Sequence, residues 1–299
     1  GFALAWLAPN SQNLLLRYSY HSDAQTYALD PGFPVDIPGG GAEALTVAKD
    51  SLGVVWIVYA LNGRVLVAHS LGSDTDWTAP FQPPVPEGTT ATLDDDAAVI
   101  ALAGGKLGVF WSNQVTQKFY FAVHTDGASD LDRFAWRLEV AAAGPSVADD
   151  HFNLKLGTDG RLFVAVKTST NTVGQPAVGL LVRSPAGAWS PLYPVANYED
   201  GPTRPICLID EVSRRVHVIY SSFMSDIYYK SSDLDAIAFP SAGAGSPLMV
   251  SGTNPGATGG LNDPTSTKQP VDPTIGILVL GSTSETNRYW HGWVTLPTP

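Results

Sequence analysis

Along the chain, short apolar runs alternate with breaks rich in Gly, Pro and Asp, and no stretch keeps the 3.6-residue period of an amphipathic helix. Six runs are dense in Val, Ile, Leu and aromatic residues: Phe2–Pro9, Val54–Ala60, Leu107–Ser112, Leu162–Thr168, Val216–Ser222 and Ile275–Ser282. From Val54 onward, successive runs begin 53, 55, 54 and 59 residues apart. Turn signals precede them, among them Asp50-Ser51-Leu52-Gly53, Gly104-Gly105-Lys106 and Asp159-Gly160-Arg161, which is hairpin chemistry. A second strand follows each run: Leu14–His21, Val65–His69, Phe119–His124, Val178–Arg183, Ile227–Lys230 and Tyr289–Val294. A further strand is expected before five of them, at Glu43–Ala48, Ala97–Ala101, Phe152–Leu156, Ile206–Ile209 and near Lys268–Asp272.

Three clear strands and a weaker outer one make a four-stranded antiparallel sheet that recurs about every 54 residues. That repeat length and strand number are the signature of a propeller blade. The fold expected is all-β, a single six-bladed β-propeller domain spanning residues 1–299. Radial packing buries both faces of the inner strands, which accounts for runs that are apolar throughout rather than alternating. No strand signal precedes Phe2, so the first blade is expected to be incomplete, and Gly1 reads as a processed or trimmed end. Other domains of a larger extracellular protein are partners this allows.

Composition narrows the function. The formal net charge is −11 and the pI about 4.8, which speaks against nucleic acid or an anionic membrane surface as partner. No run of about 18 apolar residues exists, so no membrane insertion is expected. Cys207 stands alone, which excludes an intrachain disulfide and a cysteine-based metal site. There is no Gly-x-Ser-x-Gly elbow, phosphate loop, dinucleotide fingerprint or His-Glu-x-x-His motif.

After the second strands a pattern of Ser or Thr, Asp and an aromatic returns. It reads Ser70-Leu-Gly-Ser73-Asp74-Thr-Asp76-Trp77, then Thr125-Asp126 through Asp132 with Trp136 beyond, then Ser231-Ser232-Asp233-Leu-Asp235 with Phe239 beyond. A decayed copy runs from Ser184 to Trp189. These copies resemble the Asp-box, the bacterial neuraminidase repeat of sialidase-like propellers, and the resemblance covers the chain from about Leu14 onward. It implies a secreted or cell-surface bacterial protein that engages poly- or oligosaccharide. It also implies that the box residues are structural, which agrees with Asx-turn chemistry. The basic residues just before the boxes, His69, His124, Arg183 and Lys230, recur at one blade position and are assigned to structure for that reason. Sialidases proper use an arginine triad, a Tyr–Glu pair and an acid. Arg204 suits one arginine, but Arg17 and Arg183 fall in second strands, and no Glu stands in an evident pair with a Tyr.

Candidate chemistry sits where residues differ from blade to blade. Asp94-Asp95-Asp96, Asp149-Asp150-His151, Thr203-Arg204 and Lys268-Gln269 lead into the innermost strands of four consecutive blades. Asp95, Asp150 and His151 are the expected proton-transfer groups. Lys155, Lys167, Arg204, Lys268 and Gln269 are expected to hold an anionic or hydroxyl-rich ligand, with Trp111 offering a stacking face and Asn113 a hydrogen bond. Lys155 and Lys167 interrupt apolar strands, where an unpaired ammonium is costly, so they should meet acids such as Asp150 or a ligand. No cofactor is required. Ca²⁺ at Asp94–Asp96 is a weaker expectation, since hard cations favour clustered carboxylates but the order is not an EF-hand loop. The reading is a propeller acting on polysaccharide at its axial mouth, as glycoside hydrolase or polysaccharide lyase. The alternative is a non-catalytic glycan-binding, adhesion or scaffold propeller, since a fold alone does not fix function.

Overall fold

The structure is a computed structural model that describes residues 2–7, 12–240, 243–250, 260–283 and 288–296. Gly1, Pro9 and the closing Pro297-Thr298-Pro299 lie outside the described residues. The chain divides into two compact units, Gly1–Val140 and Ala141–Pro299, and three antiparallel sheets belong to each. Among the described residues no α-helix occurs, and one 3-10 turn stands at Tyr198–Asp200.

In the first unit, β1 (Phe2–Leu7), β2 (Asn13–His21), β3 (Thr26–Leu29) and β4 (Val35–Ile37) form a sheet in which β3 and β4 share one edge of β2. β5 (Thr46–Lys49), β6 (Val55–Leu61) and β7 (Arg64–His69) form the second. Its fourth position is taken by a proline-rich segment that meets β7 and the residue after it through isolated bridges at Trp77, Phe81 and Thr90 and through Thr78, because proline cannot donate to a ladder. β8 (Ala97–Leu102), β9 (Lys106–Asn113), β10 (Lys118–Thr125) and β11 (Trp136–Ala143) form the third in sequence order, with β11 running across the division. The second unit repeats this with β12 (Phe152–Leu156), β13 (Leu162–Lys167), β14 (Pro176–Arg183) and β15 (Tyr193–Asn197). Then come β16 (Pro202–Asp210), β17 (Arg215–Ser222), β18 (Asp226–Asp233) and β19 (Ser246–Met249), and last β20 (Leu261–Thr265), β21 (Ile277–Thr283) and β22 (Arg288–Val294).

The middle sheet of each unit is buried on both faces, and the period of two shows it. On β6, Trp56 and Val58 enter the core shared with β8–β10, while Val55, Ile57 and Tyr59 enter the core shared with β2 and β4. On β17, Val216, Val218 and Tyr220 pack toward β13 and β14, while Ile219 packs toward β21. A strand with two apolar neighbours has no polar face to keep, so its sequence reads as one continuous run.

One strand differs from the expectation. The first strand of the last sheet is β20 at Leu261–Thr265, and Lys268–Asp272 lies beyond it in the loop before β21. Leu261-Asn262-Asp263-Pro264-Thr265 carries one large aliphatic residue and a register break between Asn262 and Thr265, so neither apolar density nor alternation marks it as a strand.

The recurring Ser, Asp and aromatic residues tie turns together. Asp126 accepts from the Ser51 N–H at 3.1 Å and hydroxyl at 2.6 Å, and Asp233 accepts from the N–H groups of Asp235 and Ala236 at 2.7 and 3.1 Å. The Trp77 and Trp136 indoles donate to the carbonyls of Asp74 and Asp130. Of the basic residues before them, Lys230 is buried and donates to the carbonyls of Val195 and Pro240, each at 2.8 Å. His124 is fully enclosed between Trp56 and Trp136.

Candidate functional site

In the second unit β16 lies against both β12 and β20. Asp149-Asp150-His151 leads into β12, whereas Thr203-Arg204 lies within β16 and Lys268-Gln269 follows β20. Asn153 of β12 accepts the Cys207 N–H of β16 at 3.3 Å. Asp150 and Arg204 each stand three residues before that tie.

Ahead of β12, four groups close on one another. Asp149 is buried and uses one oxygen for the Asp150 N–H at 2.8 Å and the Lys167 ammonium at 2.8 Å. Lys167 also reaches Asp150 at 3.5 Å, and its N–H donates to the His151 carbonyl at 2.8 Å. The same Asp150 oxygen, Oδ1, meets Nδ1 of His151 directly. Lys167 ends β13 opposite the turn, and this register brings it back across the acids.

The electrostatics split the two acids. Burial, with a hydrogen bond that protonated Asp149 donates to Asp150, pushes the Asp149 carboxyl up to about 6 against the pull of Lys167. Burial acts the same way on Asp150, but the hydrogen bonds from His151 and Asp149 outweigh it and hold that carboxyl below the usual range. Burial is the largest single influence on Lys167 and lowers it, but the hydrogen bonds and charges of Asp149 and Asp150 together outweigh burial and hold the ammonium above its ordinary value. An ionised Asp150 fixes the proton of His151 on Nδ1 and leaves Nε2 as the basic atom on a ring whose side chain is 25% exposed. The three side chains bring ligand atoms within 4.8 Å of one another, a spacing that suits a cation, but the Lys167 ammonium already occupies that role.

Beyond this cluster, Arg204 and Asp263 pair at 2.7 Å, and Asp263 also accepts the Ser282 hydroxyl at 2.9 Å. Both residues have φ of +52° and both precede a proline at a register break, so the ion pair joins like positions of neighbouring strands. Asp263 was not among the expected site residues. Its signal is in the sequence, since Asn262-Asp263-Pro264 matches Thr203-Arg204-Pro205.

Lys155 does not pair with Asp150. It is buried and donates to the Thr267 carbonyl at 2.5 Å, and burial lowers its ammonium below the ordinary range. Lys268 and Gln269 follow on the exposed loop, where Gln269 lines a cleft of about 590 Å³ with Thr265, Leu278 and Trp293.

The expected residues of the first unit are committed elsewhere. Asp95 is buried and accepts from Thr92 N–H at 2.6 Å, Gln114 N–H at 3.0 Å and the Ser112 hydroxyl at 3.0 Å. Trp111 is fully buried, stacked on Tyr120 at 5.4 Å, and donates to the Gly88 carbonyl at 2.7 Å, so no stacking face reaches solvent. Asn113 donates to the carbonyls of Gly88 and Thr90 and accepts from Thr116 N–H at 2.9 Å. Gly88 itself has φ of +87°, and a Cβ there would meet the Tyr120 ring at 2.8 Å, so the glycine is required. Asp94 accepts from Gln114 at 3.1 Å, which leaves the aspartate triplet serving a turn rather than gathered around a cation.

No family model matches the sequence, and no curated protein matches it either. Solved structures do. A polysaccharide lyase of family PL25, an ulvan lyase, superposes with a TM-score of 0.58 at 11% identity, covering 97% of this chain and 77% of that one. The Penicillium chrysogenum alpha-L-arabinanase complexed with arabinobiose gives 0.56 at 14% identity, covering 97% and 92%. The Aleuria aurantia lectin, in complex with alpha-methyl-L-fucoside, gives 0.56 at 12% identity, covering 99% and 95%. These likenesses show the fold alone: all-β, in sheets of three or four antiparallel strands.

Proposed function

We propose that the six sheets are the blades of one exported bacterial propeller of the sialidase-like kind, which acts on an anionic polysaccharide where the first strands begin. Of hydrolysis and elimination, the local geometry favours elimination. The Asp149 and Asp150 oxygens lie within 4.8 Å of each other, closer than the ~5–5.5 Å of a retaining pair or the ~6.5–9.5 Å of an inverting one. Asp95, the other acid, is spent on a turn.

The observation that carries the reading is the His151–Asp150 contact with Lys167 behind it. Asp150 orients the imidazole, Nε2 removes the proton next to a uronate carboxylate, and Lys167 and Arg204 offset the charge that develops. The C–H bond breaks, the carbon–carbon double bond forms, and the glycosidic oxygen leaves with a proton. Asp149, whose carboxyl burial raises to about 6, is the group of this cluster suited to supply that proton. A non-catalytic, glycan-binding propeller is the second reading, favoured by one fact: Lys167 already neutralises both acids.

A polysaccharide screen tests the choice. Unsaturated ends, lost in His151→Ala and Arg204→Ala variants that still fold, support elimination. Reducing ends without unsaturation point to hydrolysis, and retention on a glycan column without either product points to a binding module.

A further inference from the structure

A second cleft lies at the far end of β13 from the His151 cluster. Arg161 precedes the first residue of that strand and Lys167 is its last, six residues or roughly 20 Å along. The cleft encloses about 330 Å³, at the small end of the ~300–1,000 Å³ typical of ligand sites, so it suits one ring rather than a chain. Half-buried Trp189, Tyr193 and Ile237 form apolar walls, and Arg161, Asp235 and Ser190 stand among them.

We propose that this cleft binds a single uncharged pyranose residue. The polar groups are set in advance. Arg161 donates Nε–H to Asp159 at 2.6 Å, one Nη1–H to the Leu234 carbonyl at 2.8 Å and one Nη2–H to Asp235 at 3.0 Å. A guanidinium has five N–H groups, so two stay uncommitted on a head already fixed in place. Asp235 is held from the other side by Arg214 at 2.6 and 3.1 Å, and its remaining lone pairs face solvent as an acceptor. Ser184 and Ser190 accept backbone N–H groups at 3.0 Å each, which leaves both hydroxyl protons to donate. Fixed donors, one acceptor and an aromatic wall match the hydroxyl edge and C–H face of a sugar ring.

The charge decides between neutral and anionic rings. Arg161 and Arg214 face Asp159, Glu211 and Asp235, a net negative set that disfavours a uronate or sulfated sugar here. Trp189 belongs to the decayed box copy, Ser184 to Trp189, which lacks the Asp of the others. This inference does not rest on the elimination reading of the His151 cluster.

The probes are the methyl pyranosides of the gluco, galacto, manno, xylo and fuco series, titrated into the full chain while the indole N–H resonance of Trp189 is followed by NMR. At least one should shift it saturably. Asp235→Asn, followed by the same resonance, and Trp189→Phe, followed by isothermal titration calorimetry, should each weaken binding about tenfold or more, a change of ~1.4 kcal/mol. His151→Ala should leave the titration unchanged. A panel in which no sugar moves the resonance overturns the proposal, and so does binding that both cleft variants retain at full strength. Should Trp189→Phe fail to fold, Asp235→Asn decides alone. Loss of binding in His151→Ala would place the sugar elsewhere and also overturn it.

Discussion

Two turns in this chain carry nearly the same acids at the same point of the repeat and do different things. Asp94-Asp95-Asp96 leads into β8, and Asp149-Asp150-His151 leads into β12. In the first, Asp95 accepts two backbone N–H groups and a serine hydroxyl, all neutral donors with no proton to exchange. In the second, the acids meet an imidazole and an ammonium. The residue opposite the turn makes the difference: Ser112 at the end of β9, Lys167 at the end of β13. An acidic turn is a cap or a reactive site according to what the partner strand brings to it.

Acid titration gives the largest effect and isolates the cluster from the core. His217 is buried, with Nδ1 bonded to Ser231 at 2.6 Å and no partner for Nε2. Burial lowers it to about 4, below the ~6.5 of an unfolded chain. The unfolded state therefore binds the proton first, so the stability from neutral His217 is complete above about pH 6.5 and is lost as pH falls toward 4. Across that window His217 should contribute a loss on the order of 3 kcal/mol, partly offset by Asp149, whose raised carboxyl titrates there in the opposite sense. His217→Gln should flatten it. An equal slope in that variant would move the acid sensitivity to other groups.

Lys167→Met should come next. It leaves two acids in a half-buried turn without their cation, at a cost of about 2–3 kcal/mol, below the ~3–5 of a fully buried pair because Lys167 keeps some contact with solvent. Denaturant unfolding measures this. A neutral outcome would mean that the pairing adds nothing to the turn. Asp95→Ala should cost about 2 kcal/mol by stranding two N–H groups and a hydroxyl, and should leave turnover per folded molecule unchanged. A collapse of turnover in a folded Asp95→Ala protein would erase the contrast between the turns. Arg204→Ala should change stability least, within about 1 kcal/mol, since Arg204 and Asp263 are partly exposed, and should weaken anionic substrate instead.

The fold was more legible than the site. The doubly buried middle sheets wrote themselves as continuous runs such as Val54–Ala60 and Val216–Ser222, and these fall within a residue or two of β6 and β17. β20 was illegible because a bulged, polar, proline-containing strand offers no period to read. At the site, Asp150, His151 and Lys167 come together because β12 and β13 are adjacent in sequence, and local pairing can be anticipated. Lys155 took Thr267 rather than Asp150 as partner, across two sheets, and spacing gives no hint of that. Trp111 and Asn113 looked like ligand groups because polar and aromatic residues at a strand end are chemically versatile. Gly88, in a turn more than 20 residues earlier, uses both.

The most direct test is the rate at which the folded protein raises unsaturated-end absorbance from a uronate-containing polysaccharide, measured for the native chain and for His151→Ala. The native chain should produce such ends, and the variant should lose on the order of 10²–10⁴-fold in rate with its melting temperature preserved. Equal rates in the two proteins would contradict the assignment of His151 as the base.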